Sequence, residues 1–312
     1  MSVAETICVA SGLGYRYGDH LALDGVDLQT QAGEIVAMLG PNGSGKTTLF
    51  RLLCTLMPLQ TGEIQIGGFS VRENPLAIRS QIGIVFQSPS LDKKLTVDEN
   101  IACQAALYGI TGAELKQRRD QLLEQLDLVD RRNDFCEQLS GGLKRRVELA
   151  KGMLHQPRLL LLDEPSTGLD PAARLQLWNA LTAMAGQGTS ILMTTHLLEE
   201  ADKADRVMIL ADGKKIAEGS PARLRSEFGD GVITVESSQP DHVATVIREK
   251  LSVGVTRADQ QLRLAVNRPA DFVPVLAACL QEAGLSDSVQ SIAVGRPGLE
   301  DVFIEKTGQR FL

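Results

Sequence analysis

Three stretches of this 312-residue sequence predict an α/β fold. The apolar run Ile35 to Leu39 passes through a glycine-rich segment into a helical pattern, the run Leu159 to Leu162 ends on two carboxylates, and Ser190 to Thr195 is a third apolar run, ending beside His196. Short, fully apolar runs are what strands covered on both faces of a parallel sheet require. An antiparallel β layer ahead of that sheet, a helical insert within it and a small C-terminal α+β domain complete the expected architecture.

Composition narrows the classes. With 43% hydrophobic and 23% charged residues the chain reads as an ordinary globular protein large enough for two domains. No apolar run approaches the roughly 18 residues of a membrane span, and Met1 to Tyr15 lacks the basic start and apolar middle of a signal peptide, so a cytosolic location is expected. The five cysteines are scattered and never spaced as C-x-x-C, which fits reduced thiols rather than disulfides or zinc. A formal net charge of −7 argues against a general nucleic-acid binder, whose phosphate contacts call for a basic face.

Taken in order, short apolar runs from Ile7 to Leu28, broken by glycine and charge, predict the antiparallel layer. Tyr17 lies in it, where an aromatic can stack on an adenine ring or pack into a core; position alone does not decide. Gly40-Pro41-Asn42-Gly43-Ser44-Gly45-Lys46-Thr47, between strand and helix (Thr47 to Leu56), fits G-x-x-x-x-G-K-[ST]. In such a loop the backbone N–H groups cradle phosphates, Lys46 reaches the β- and γ-phosphates, and the Thr47 hydroxyl ligates Mg²⁺. The helix start adds partial positive charge, and Thr48 follows as a further candidate contact. This implies a nucleotide site.

Thr61 to Gly68 and Ile82 to Phe86 read as strands. Gln87, just past the second, stands at a carboxyl edge, where it can reach a metal or an attacking water, or simply be solvated. Between Thr96 and Leu149 the pattern is helical, with leucines 115, 122, 123, 126 and 128 among charges. Ser140-Gly141-Gly142 opens a further helix followed by the basic Lys144, Arg145 and Arg146; the arrangement suits anion binding or a plain helix cap. Asp163 and Glu164 reach the carboxyl edge together, Asp163 placed to hold Mg²⁺ and Glu164 to orient or deprotonate water. His196 stands at the same edge, as a γ-phosphate partner or as a satisfied polar residue. A short helix is expected from Ala222 to Phe228, and a domain boundary near residue 225. Beyond it, strands at 231–236, 261–266 and 289–294 alternate with helices at 242–251 and 271–283, with no catalytic cluster. Phe303 and Ile304 there are either interface anchors or core residues.

Together these segments resemble the nucleotide-binding subunit of ABC transporters over roughly residues 5 to 220. The resemblance implies that Gly40 to Thr47 is the Walker A loop, Gln87 the Q-loop glutamine, Leu139 to Gly142 the signature, Asp163 and Glu164 the Walker B pair, Ser166 to Asp170 the D-loop, His196 the switch histidine and Tyr17 the adenine-stacking aromatic. It implies ATP and Mg²⁺ as ligands, and a homodimer, or a heterodimer with a related ATPase, closed head to tail so that Ser140, Gly141 and Gly142 of one copy meet the γ-phosphate held by Lys46 of the other. It also implies a separate transmembrane permease through which the chain joins the cytoplasmic face of the membrane. Leu143 departs from the family, whose signature commonly has glutamine there; a modest effect is expected. Pro297 to Ile304 and Ser90 to Thr96 resemble the daunorubicin-resistance type of exporter ATPase, implying export of drugs, lipids or polysaccharides. The alternative is a soluble ABC protein acting on ribosomes or in DNA repair. The first would usually carry two fused cassettes and the second a long coiled coil, whereas this chain has one P-loop and no such coil. A nucleotide sensor without turnover is disfavoured by Glu164.

Overall fold

The computed structural model describes residues 5–227, 231–309 and 311. Their chain divides into two compact units, residues 1–196 with 212–215, and residues 197–211 with 216–312.

The first unit runs β1 (Thr6–Tyr17), β2 (His20–Gln31), β3 (Ile35–Leu39), α1 (Lys46–Leu53), β4 (Thr61–Ile66), β5 (Phe69–Ser70), α2 (Pro75–Arg79), β6 (Ile82–Val85), α3 (Val97–Leu107), α4 (Gly112–Gln125), α5 (Gly141–Met153), β7 (Leu159–Asp163), α6 (Pro171–Gly186) and β8 (Ser190–Thr195). The expected antiparallel layer is present, in the order β2-β1-β4-β5. Behind it β3, β8, β7 and β6 lie side by side and parallel. Val36 to Leu39, Leu159 to Leu162 and Ile191 to Met193 are fully buried, as two covered faces demand. Each such valine, leucine, isoleucine or methionine side chain contributes about 1.5–3 kcal/mol of burial.

Register sets where the strands stop. Leu39 pairs with Thr195, Asp163 with Thr194 and Val85 with Leu162, so the four carboxyl ends align. The residues that follow them, Gly40, His196, Glu164 and Phe86-Gln87, therefore gather along one edge.

The helical insert resolves into α3, α4 and the start of α5. Thr96 caps α3 reciprocally: its Oγ1 accepts from the Glu99 N–H, and Glu99 Oε2 accepts from the Thr96 N–H at 2.8 Å. Asp98 in the first turn holds Arg119 at 3.1 Å and Arg132 at 2.9 Å, while Leu123, Leu126 and Leu128 turn inward.

The second unit contains α7 (Leu198–Ala201), β9 (Arg206–Ala211), all but the first two residues of β10 (Lys214–Gly219), α8 (Pro221–Ser226), β11 (Gly231–Ser237), α9 (Pro240–Leu251), β12 (Thr256–Ala258), β13 (Gln261–Val266), α10 (Pro269–Glu282), β14 (Val289–Gly295) and α11 (Leu299–Thr307). Helix α8 ends at Ser226, and Phe228 lies outside the described residues. The antiparallel order is β12-β13-β11-β14. Alternation on β13 turns Leu262, Leu264 and Val266 into a core shared with Ile247 of α9 and Leu276 and Leu280 of α10. Strand β12 and helix α11 are additions to the expected elements. Phe303 and Ile304 are 1% and 0% exposed within this chain, so they are core residues and not surface anchors. Asp301 beside them is paired with Arg263.

Candidate active site

The loop from Gly40 to Gly45 is shaped by what surrounds it. Gly45 sits at φ +102°, and a Cβ there would lie 2.6 Å from the Ala22 carbonyl oxygen, so only glycine lets the chain turn into α1. Lys46 follows as the first residue of α1. Its side chain is 5% exposed, and its Nζ donates to the carbonyls of Gly40 at 2.7 Å and Pro41 at 2.9 Å. Burial lowers its pKa, and the carboxylates of Glu164 and Asp163 oppose that shift. The buried Ser44 Oγ has no hydrogen-bond partner among the described residues. A cleft of about 180 Å³ is lined by Tyr17, Asn42, Gly43, Gly45, Lys46, Thr47, Thr48 and Glu164, with His20 and Ala22. Tyr17 is 45% exposed, its hydroxyl donating to Met57 Sδ at 3.3 Å and its ring tilted on Tyr15. Such exposure sets aside the core-packing reading of Tyr17, which lines the cleft instead.

Glu164 is the meeting point of three strand ends. Gln87 Nε2 donates to its Oε2 at 3.1 Å, Thr167 Oγ1 donates to the same oxygen at 3.3 Å, and His196 Nδ1 lies 3.2 Å from its Oε1. That last approach falls short of hydrogen-bond geometry and becomes an ion pair only when the imidazole is protonated. Glu164 also adopts φ +42°, a left-handed conformation unusual for a residue with a Cβ. Its N–H donates to Thr194 Oγ1 at 2.9 Å, and its carbonyl accepts from the Thr167 N–H. Strain of this kind, on the order of 1–3 kcal/mol, persists where neighbours over-determine the geometry. The carboxylate is thereby turned into the cleft that Lys46 and Thr47 line.

Asp163 is held by the cross-strand neighbour that register gives it: Thr194 Oγ1 donates to Oδ1 at 2.6 Å. Burial raises its pKa; the Thr194 hydrogen bond lowers it, the Glu164 charge raises it again, and Arg51 and Lys46 pull it down. A carboxyl whose folded pKa is raised binds more protons folded than unfolded. The ionised form therefore opposes folding, and stability is lost as pH rises from the ordinary carboxylate range through the raised value. We expect Asp163→Asn to raise the melting temperature of the nucleotide-free protein at pH 7, with the gain shrinking as the pH is lowered through the carboxylate range. A variant that melts at or below wild type at pH 7 would contradict this.

Ser140 caps α5, its Oγ accepting from the Leu143 N–H at 3.3 Å. Gly142 is required by packing, since a Cβ there would sit 2.8 Å from that of Ala173. Neither Ser140 nor Gly141 nor Gly142 is among the residues lining the Lys46 cleft. The basic residues that follow are not an anion platform. Lys144 Nζ donates to the Glu137 carbonyl, Arg146 to the Leu126 carbonyl and the Asp127 carboxylate, and the buried Arg145 to the carbonyls of Phe86 and Gln87. Sequence reading missed Thr194 and this use of Arg145, and took in Thr167 only as part of the D-loop. A threonine directly opposite the first carboxylate was the available signal for Thr194, but it needs the β7–β8 register to be seen.

A phosphate-cradling loop, a buried lysine and a strained carboxylate at adjacent strand ends define a P-loop nucleotide hydrolase. The model of the ABC transporter family matches residues 23–167. The daunorubicin resistance ATP-binding protein DrrA3 of Streptomyces coeruleorubidus is 37% identical over 310 residues, covering 98% of this chain and 97% of that one. The Nod factor export ATP-binding protein I of Cupriavidus metallidurans is 35% identical over 299 residues, 94% of each chain. Among solved structures, the ATP-binding subunit of an ABC transporter superposes with a TM-score of 0.65 at 31% identity over 71% of this chain and 93% of the other. That of cbiO1 from Clostridium perfringens, part of the ABC transporter complex cbiONQ, gives 0.67 at 27% identity over 80% and 96%. The chain belongs to the ABC transporter family, as an ATP-binding, ATP-hydrolysing subunit.

Proposed function

We propose that this subunit drives export through a separately encoded transmembrane permease, working as a head-to-tail dimer on the cytoplasmic face of the membrane. The observation that carries the catalytic part is the convergence of Gln87 and His196 on Glu164, which lines the same cleft as Lys46 and Thr47. In this reading Gly40, Pro41, Asn42, Gly43, Ser44, Gly45, Lys46, Thr47 and Thr48 hold the triphosphate, and Tyr17 stacks on the adenine. The orphaned Ser44 hydroxyl and the glycine-only turn at Gly45 fit such a ligand. The oxygens of Thr47, Asp163 and Gln87 are the hard donors Mg²⁺ prefers, and the ion would neutralise charge on the phosphates. Glu164 takes the proton of the attacking water, Gln87 fixes its carboxylate, His196 reaches the γ-phosphate, and Lys46 balances phosphate charge. Ser140, Gly141 and Gly142 serve the second copy's nucleotide. Residues 226–312 form an accessory or regulatory domain.

Export follows the relatives, whose names specify daunorubicin resistance and Nod factor export. Among the described residues no helix is long and apolar enough to cross a membrane, which is consistent with a permease on another chain. The test is fractionation. The tagged chain should move to the membrane fraction and co-purify with a polytopic protein of about six spans when the neighbouring genes are co-expressed. Sedimentation with ribosomes, and no membrane partner, would sink the transport assignment.

A further inference from the structure

Residues 86–90, which carry Gln87 from the end of β6, make no backbone-to-backbone hydrogen bond among the described residues. Side chains from one face of α5 take their place. Arg145 donates to the Phe86 carbonyl at 2.6 Å and to the Gln87 carbonyl at 3.0 Å. Glu148 Oε1 accepts from the Ser90 N–H at 3.0 Å, and its carboxylate also takes the Ser90 hydroxyl at 3.2 Å. Lys151 Nζ donates to the Ser90 carbonyl at 2.9 Å and approaches Glu148 at 3.8 Å. Spacing of three residues puts 145, 148 and 151 along a single helix face. Arg145 and Glu148 are 4% and 3% exposed, so their charged ends are largely shielded from water and costly to leave unpaired, while Gln87 and Ser90 on the loop side stay exposed.

The helix that supplies this face begins at Ser140-Gly141-Gly142, and the loop it holds presents Gln87 Nε2 to Glu164. Few other bonds fix the loop, so its position follows α5. We propose that Arg145, with Glu148 and Lys151 beside it, is a positioning residue that sets Gln87 against Glu164 and ties the hydrolytic carboxylate to the start of α5. This rests on the reading of Glu164 as the base. Arg145 is not among the residues lining the Lys46 cleft; it acts through the backbone of Gln87.

The test uses the purified full-length chain and a double-mutant cycle between Arg145→Met and Gln87→Ala. Arg145→Met should lower kcat about tenfold or more, as loss of an aligned group does, with KM and equilibrium ATP affinity within about twofold of wild type. Arg145→Lys, which keeps the charge but can serve one carbonyl at a time, should fall between. Because Arg145 acts through Gln87, the double variant should turn over no more slowly than Gln87→Ala alone, within about twofold. A folded Arg145→Met with wild-type kcat, or losses that multiply in the double variant, would overturn the proposal. Should Arg145→Met fail to fold, the cycle is run with Arg145→Lys and judged in the same way. Glu164→Gln measured in parallel separates the two ideas: normal turnover there removes the base, whereas independence of Arg145 and Gln87 removes the positioning role.

Discussion

Glu164→Gln should hydrolyse ATP roughly 100-fold or more slowly than wild type while still binding it, the size of effect that loss of a general base produces. The substitution keeps volume and shape but removes the charge and one of two equivalent acceptors. In the native site Oε2 accepts from Gln87 and Thr167, and Oε1 faces His196. A glutamine can offer an oxygen to only one of these sides, and its amide can no longer take a proton from water. The P-loop is untouched, because the Lys46 ammonium is held by the carbonyls of Gly40 and Pro41. ATP affinity from equilibrium binding and turnover from phosphate release should therefore part company. Lys46→Ala gives the opposite pattern, weakening binding itself. Near-normal turnover by folded Glu164→Gln would take the glutamate out of this role, leaving the cleft as a binding site in need of another base.

How far the sequence discloses this arrangement depends on the range of the interactions involved. Strands β3 and β7 are legible because their residues are apolar without interruption, and the loop before α1 because glycine and lysine stand at fixed spacing beside them. Which strand ends meet is a matter of non-local register. Thr194 contacts Asp163 only because β8 lies beside β7, and nothing within either segment says so. Arg145 misleads for a related reason. In a run of three basic residues after a helix start it looks like part of an anion site, yet its partners are carbonyls nearly 60 residues earlier in the chain. Strand β12 is three residues long, too short for alternation to register. Helix α11 did carry a signal, since Leu299, Val302 and Phe303 stand at i, i+3 and i+4 and are all buried.

The other large effect is recovery of activity from two inactive parents. A Lys46→Ala subunit lacks the phosphate-binding lysine but keeps its α5 start, and a Ser140→Arg subunit keeps its P-loop but presents a long cation where a small cap stood. Losing the Ser140 hydrogen bond to Leu143 costs about 1 kcal/mol of helix capping, so melting of the variant is checked first. Each parent alone should be close to background, because every composite site in its homodimer is damaged. In a heterodimer that closes head to tail, one site combines both lesions and the other combines an intact P-loop with an intact α5 start. Random pairing of an equal mixture makes half the dimers mixed, each with one sound site of two, so recovery should reach at most about a quarter of wild-type turnover. The α5 start lies outside the lining of its own Lys46 cleft, which is what such sharing requires. The measurement is phosphate release by the mixture, with two different tags to count mixed dimers. If mixed dimers are isolated and remain as inactive as their parents, the shared site is refuted, and each subunit must complete its own.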